Sequence, residues 1–173
     1  MKKCLIVVDY QNDFVSGSLG FEKAKTLELG IANKINSYHV NGDDVIFTLD
    51  THYDDYMDSY EGKHLPVPHC IENSDGHKLY GGVADCVSGE DIVFRKTTFG
   101  SDALYEYLKT ACYGSVELVG VVTNICVVAN AVLAKTALPD ADIIVDSMLT
   151  ASNDERLHNA ALDTMEGMQI IIK

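Results

Sequence analysis

Residues 4–9 read Cys4-Leu5-Ile6-Val7-Val8-Asp9. Successive side chains of an extended segment point to opposite faces, so this unbroken apolar run predicts a strand buried on both sides. Such strands sit inside parallel sheets covered by helices, and the charge at Asp9 marks where this one emerges. The rest of the chain repeats the theme. Asp44–Leu49, Asp91–Phe94, Val116–Val122, Ala141–Val145 and Met168–Ile172 are further short strand candidates. Glu22–Val40 reads as a helix, with Leu27, Ile31, Ile35 and Tyr38 at helical spacing and Asn41-Gly42-Asp43 as its stop. Ser101–Thr110, with Ser101 placed to cap it, Asn124–Ala137 and Asn153–Glu166 are the other long helices. From Asp50 to about Ser74 no period is visible, which predicts a long loop of the kind that usually carries function. The order β-α-β-loop-β-α-β-α-β-α-β predicts an α/β fold: one domain over residues 1–173, with a doubly wound, mostly parallel six-stranded sheet.

Composition narrows the functional classes. The 173 residues include 13 Lys plus Arg against 26 Asp plus Glu, a formal net charge of −13. That balance argues against nucleic acid and anionic membrane surfaces as partners, because both attract basic patches. Apolar residues make up 47% of the chain, too many for a disordered protein. No apolar run approaches the roughly 20 residues that span a bilayer. The run after Lys2-Lys3 is too short for a secretory leader, so a cytoplasmic location is the expectation. Five cysteines, an odd number without a CxxC pair, do not suggest a disulfide framework.

In a doubly wound sheet, ligands bind beyond the carboxyl ends of the strands. Asp9 follows the first strand, Lys96 the third and Cys126 the fourth. An acid, a cation and a thiol at one rim are the parts of a nucleophilic site. Asp9 could take the thiol proton and later return it to a leaving amine. A helix N-terminus and Lys96 would favour the thiolate, and turn N–H groups could hold an oxyanion. Taken singly, each residue also has a plain reading, as a core thiol, a turn residue and a surface charge. A second group is Asp50-Thr51-His52 with Glu61 and His69. One carboxylate and two imidazoles suit Zn²⁺, with Fe²⁺ or Mn²⁺ as alternatives, and leave coordination positions open. Spacing alone slightly favours a polar, acidic surface loop. His64 lies near enough to be a spare candidate, while His39, His77 and His158 have no such company.

Five segments together resemble the isochorismatase-like cysteine hydrolases, and among them the nicotinamidases. Leu5-Ile6-Val7-Val8-Asp9-Tyr10-Gln11-Asn12-Asp13-Phe14 is similar to the family's opening D-x-Q-x-D-F motif. Asp50-Thr51-His52 resembles its metal-ligand pair, and Pro66-Val67-Pro68-His69-Cys70 its P-x-H-C element. Arg95-Lys96-Thr97-Thr98-Phe99-Gly100-Ser101 resembles the catalytic lysine element. Gly120-Val121-Val122-Thr123-Asn124-Ile125-Cys126-Val127 resembles the nucleophile motif.

The resemblance implies a metal-dependent amidohydrolase that converts nicotinamide to nicotinate and ammonia through a thioester, a step of NAD salvage. Cys126 would be the nucleophile, Asp9 the proton shuttle and Lys96 the cation beside them. The bond between Val121 and Val122 would be cis, aiming the N–H of Val122, with that of Cys126, at an oxyanion. Asp50, His52 and His69 would hold the ion, with Glu61 as a further carboxylate. Phe14 and Phe99 would flank a flat ring, and Leu65 stands where nicotinamidases usually carry a bulky aromatic. That departure, in a chain without tryptophan, leaves room for another small amide, a carbamoyl compound or an ether. A non-catalytic protein on the same fold is the remaining alternative. A homo-oligomer is the expected assembly.

Overall fold

The computed structural model describes residues 2–173. Strands β1 (Lys2–Val8), β2 (Asp44–Asp50), β3 (Ile92–Lys96), β4 (Tyr113–Val121), β5 (Asp142–Ala151) and β6 (Ile171–Ile172) form one sheet. Its order is β3-β2-β1-β4-β5-β6, and every neighbouring pair is parallel. The chain steps outward from β1 in one direction, then returns to β4 on the other side. The topological switch therefore lies between β1 and β4, where ligand crevices form in such sheets.

The first strand behaves as its sequence requires. Cys4, Ile6 and Val8 enter one core cluster, while Leu5 and Val7 enter the other, all without solvent exposure. Each such aliphatic side chain contributes about 1.5–3 kcal/mol by leaving water. The first face is covered by α6 (Asp102–Thr110), α7 (Val128–Ala137) and α8 (Glu155–Gly167). The second is covered chiefly by α3 (Glu28–Asn41), through Ile31 and Ile35. Ser101 Oγ accepts from the Leu104 N–H, the expected cap, and Asp154 caps α8 in the same way through the Leu157 N–H.

Some local features differ from the sequence expectation. The helix expected over Glu22–Val40 is two helices, α2 (Glu22–Lys25) and α3. Thr26 and Leu27 donate to carbonyls three residues back, and the Thr26 hydroxyl also bonds the Lys23 carbonyl at 2.7 Å. This tight turn resets the helix axis without a glycine or proline to announce it. A short helix, α1 (Asn12–Val15), follows β1 directly. The expected loop after β2 contains a 3₁₀ turn (Tyr56–Asp58) and α4 (Tyr60–His64), and α5 (Gly81–Asp85) precedes β3. Strand β3 runs to Lys96 and β5 to Ala151, longer than their apolar runs. Ladder bonds carry strands past the residues whose hydrophobicity nucleates them.

Gly120 sets how closely the two strands at the switch point approach. It adopts φ 112°, and a Cβ there would lie 2.1 Å from the Val8 carbonyl oxygen. Only glycine lets β4 come this near to β1.

Candidate active site

Asp9 closes β1 in a left-handed conformation, φ 45°, which turns its carboxylate over the sheet rim. It has no solvent exposure. Its Oδ1 accepts the Thr48 hydroxyl at 2.7 Å, and its Oδ2 lies 2.6 Å from Lys96 Nζ. The same Nζ donates to the Thr98 carbonyl at 3.0 Å and lies 3.7 Å from Cys126 Sγ. A further contact, 3.3 Å, reaches Asp50 Oδ1. The three strand-end residues singled out in the sequence thus form one buried cluster.

Burial and the Asp9 charge push the Cys126 thiol well up, and the Lys96 cation opposes them without winning. Burial also raises the Asp9 carboxyl, against the pull of Lys96. Burial would lower Lys96, but the facing Asp9, Cys126 and Asp50 groups hold it up, so it stays a cation. Lys96 thus pulls toward the thiolate, as the sequence suggests, while burial and Asp9 pull the other way.

The turn that carries Cys126 is a single turn of π-helix, Thr123–Val127, leading into α7. The peptide bond between Val121 and Val122 is cis. Among the described residues the Val122 N–H has no hydrogen-bond acceptor, whereas the Val122 carbonyl accepts from Ile125 and Val127. Behind the turn, Thr123 Oγ1 lies 2.8 Å from Thr150 Oγ1 and 2.9 Å from His158 Nδ1. His158 therefore has buried company that its isolated place in the sequence did not suggest.

The second group is equally compact. Asp50, His52 and His69 are buried, and one ligand atom from each lies within 4.8 Å of the others. Asp50 Oδ2 is 3.0 Å from His52 Nε2 and 3.4 Å from His69 Nε2. His69 Nδ1 donates to the Val67 carbonyl at 2.8 Å, which leaves its Nε2 lone pair facing the carboxylate. Two imidazole nitrogens and a carboxylate oxygen converging on one buried point are a donor set that fits a divalent ion. Glu61 Oε1 stands 3.7 Å from His69 Nε2 and 4.0 Å from His52 Nε2. His64 is elsewhere, stacked on Tyr60.

Two residues of the opening motif hold this loop, a role their place in the sequence did not suggest. Gln11 Oε1 accepts the Asp50 N–H at 2.8 Å, and its Nε2 donates to the carbonyls of Asp50 and His77 at 2.9 and 2.8 Å. Asp13 Oδ2 accepts the N–H of Cys70, itself at φ 46°, at 2.8 Å, and so fixes the residue after His69. His77 Nε2 bonds the Thr51 hydroxyl at 2.8 Å, another partnership across the loop. A signal existed in the sequence: two hydrogen-bonding side chains directly after a strand expected to end at the site.

A cavity of about 200 Å³ joins the two clusters. Phe14, Leu65 and Phe99 line it, with Leu19, Phe21 and Asn153 in addition. Asp50, His69, Val122 and Cys126 reach into the same space. Phe14 is buried against His69, ring centroids 5.4 Å apart, whereas Leu65 and Phe99 form a half-open mouth.

The sequence profile of the isochorismatase domain matches residues 3–172. The chain belongs to the isochorismatase family. The isochorismatase family protein PncA of Bacillus subtilis is 33% identical over 174 residues, covering 94% of this chain and 93% of that protein. Among solved structures of the family, the pyrazinamidase/nicotinamidase of Streptococcus mutans is similar with a TM-score of 0.88 and 29% identity, covering 99% of this chain and 100% of that one. The pyrazinamidase of Pyrococcus horikoshii, solved in complex with zinc, superimposes with a TM-score of 0.87 at 22% identity, over 100% and 99% of the two chains.

Proposed function

We propose that this protein hydrolyses nicotinamide to nicotinate and ammonia through a thioester on Cys126. One observation carries the reading: Cys126, backed by buried Asp9 and Lys96, and Asp50 and His69 of the imidazole set line one cavity of about 200 Å³, sized for a single small ring. The similarity to the S. mutans pyrazinamidase/nicotinamidase supports the substrate.

The substrate amide lies against Cys126, with its ring between Phe14 and Phe99. Asp9 accepts the thiol proton as sulfur attacks the amide carbon. Lys96 stays a cation throughout and balances charge as the proton moves. The N–H groups of Val122 and Cys126 hold the oxyanion of the tetrahedral intermediate. Its collapse breaks the C–N bond, and Asp9 returns the proton so that ammonia leaves. Water then attacks the thioester, Asp9 taking its proton, and nicotinate is released with the thiol restored. Asp50, His52 and His69 would hold a divalent ion, with Glu61 beside it. Zinc fits this donor set best, and iron or manganese would also suit it. When bound, the ion would anchor the pyridine nitrogen and withdraw electrons from the ring that bears the amide. A small-molecule amide as partner, one domain over residues 1–173, a cytoplasmic location and a homo-oligomeric assembly complete the proposal. Among the described residues no helix is long and apolar enough to cross a membrane.

A second reading, a larger amide, has its own support. Leu65 and Phe99 are 37% and 45% exposed, and beyond them lies a second hollow of about 480 Å³ lined by Tyr53, Tyr56 and Tyr60. The deciding measurement is ammonia release from nicotinamide by protein of known metal content, with Cys126→Ala as blank. Release that needs both thiol and metal is expected. No release from metal-loaded protein with a reactive Cys126 would reject nicotinamide and point to the larger amide.

A further inference from the structure

A buried carboxamide is costly unless its donors and acceptor are all used. Asn130 has no solvent exposure and sits on α7, one turn beyond Cys126. Its Oδ1 accepts the Ser101 N–H at 3.0 Å. Its Nδ2 donates to the carbonyls of Cys126 and Phe99, at 2.8 and 3.1 Å. The orientation is forced. Turned over, the amide would set a donor against an N–H and an oxygen against two carbonyls. Only a side chain with one acceptor and two donor hydrogens in this geometry satisfies all three partners.

Those partners belong to the two segments whose spacing the chemistry needs. Cys126 is the candidate nucleophile, and Phe99 and Ser101 belong to the loop that continues from Lys96. Within residues 97–100 the other side-chain anchor is Lys96 itself, which donates to the Thr98 carbonyl. The packing is already close: a Cβ on Gly100 would lie 2.8 Å from Leu133 of α7. One amide thus ties the Cys126 backbone to the loop that continues from Lys96, beside the 3.7 Å contact between Sγ and Nζ.

We propose that Asn130 is a positioning residue that fixes the separation between Cys126 and Lys96, and with it the rate of thioester formation. This inference rests on the hydrolase reading of the site. Misplacing a reacting group by about 1 Å can cost about 100-fold in rate.

The test compares metal-loaded wild type, Asn130→Leu and Asn130→Ser. It reads the rate of Cys126 alkylation by iodoacetamide against a Cys126→Ala background, kcat and KM for nicotinamide, melting temperature and metal content. Asn130→Leu should alkylate about tenfold more slowly and lose about 100-fold in kcat, with KM and metal content little changed. Asn130→Ser, which keeps one donor and one acceptor, should lose less. Wild-type alkylation and kcat with only a lower melting temperature would overturn the proposal. Should Asn130→Leu not fold, wild-type alkylation by Asn130→Ser would overturn it equally. If wild type releases no ammonia, the nicotinamide reading fails, and the alkylation rates still decide the role of Asn130.

Discussion

The two halves of the candidate site are equally buried but held in different ways. On the thiol side, Asp9 and Lys96 are placed by strand ends and Cys126 by the turn after a third strand. Sheet register aligns the strand ends, with Asp50 level with Lys96 and Val8 with Gly120 across the ladders. On the imidazole side only Asp50 stands on a strand. His52, Glu61 and His69 ride the segment between β2 and β3, tied to itself by the bridge of His52 with Ile71 and the bond of Thr51 with His77. The side chains of Gln11, Asn12 and Asp13 pin it to the turn after β1, beside a bridge of Gln11 with Leu79. A ladder distributes its load over many bonds, whereas a pinned loop depends on a few. The imidazole side should therefore be the softer half.

That contrast can be broken or sharpened by experiment. The largest effect belongs to Cys126→Ala, which should cut ammonia release by at least about 10⁴-fold while leaving the metal content unchanged. Substantial residual turnover would remove the thiol from the mechanism. Next, Lys96→Met strands the Asp9 carboxyl without its buried cation. Urea unfolding should show a loss of about 3–5 kcal/mol alongside lost activity. Asp50→Ala should abolish metal binding, measured by elemental analysis, yet leave Cys126 open to alkylation. A full metal complement would refute the ligand assignment. Gln11→Leu touches neither ion nor substrate and should weaken metal affinity by about 10–100-fold, read by competition with a chromogenic chelator. Unchanged affinity would mean that the loop holds itself and that the contrast is wrong. A chelator probes the same half through stability. Removing an ion present at about 100 times its Kd should cost about 2.7 kcal/mol. Amide exchange should then quicken in residues 51–77 while β1 stays protected.

Legibility followed the same division. The triad could be read because continuous apolar runs locate strand ends, and strand ends converge whatever the loops do. The metal set could be named from residue types and the family resemblance, but spacing did not separate it from a polar surface loop. Gln11, Asp13, Asn130 and Thr123 had no visible role, because each acts through a bond to a residue distant in sequence or to backbone that pattern cannot place. The break between α2 and α3 escaped for a related reason: two shortened turn bonds at Thr26 and Leu27 leave the hydrophobic period intact.

By itself, the sequence determined the α/β class, the strand sites and the residues able to do acyl transfer, because burial period and side-chain chemistry are local properties. Only the tertiary structure decided the burial of the thiol beside Asp9 and Lys96 and the convergence of Asp50, His52 and His69. It alone also joined Cys126 to the Lys96 loop through Asn130. Desolvation and hydrogen bonding depend on neighbours through space, and those exist only once β1 and β4 lie side by side at Gly120.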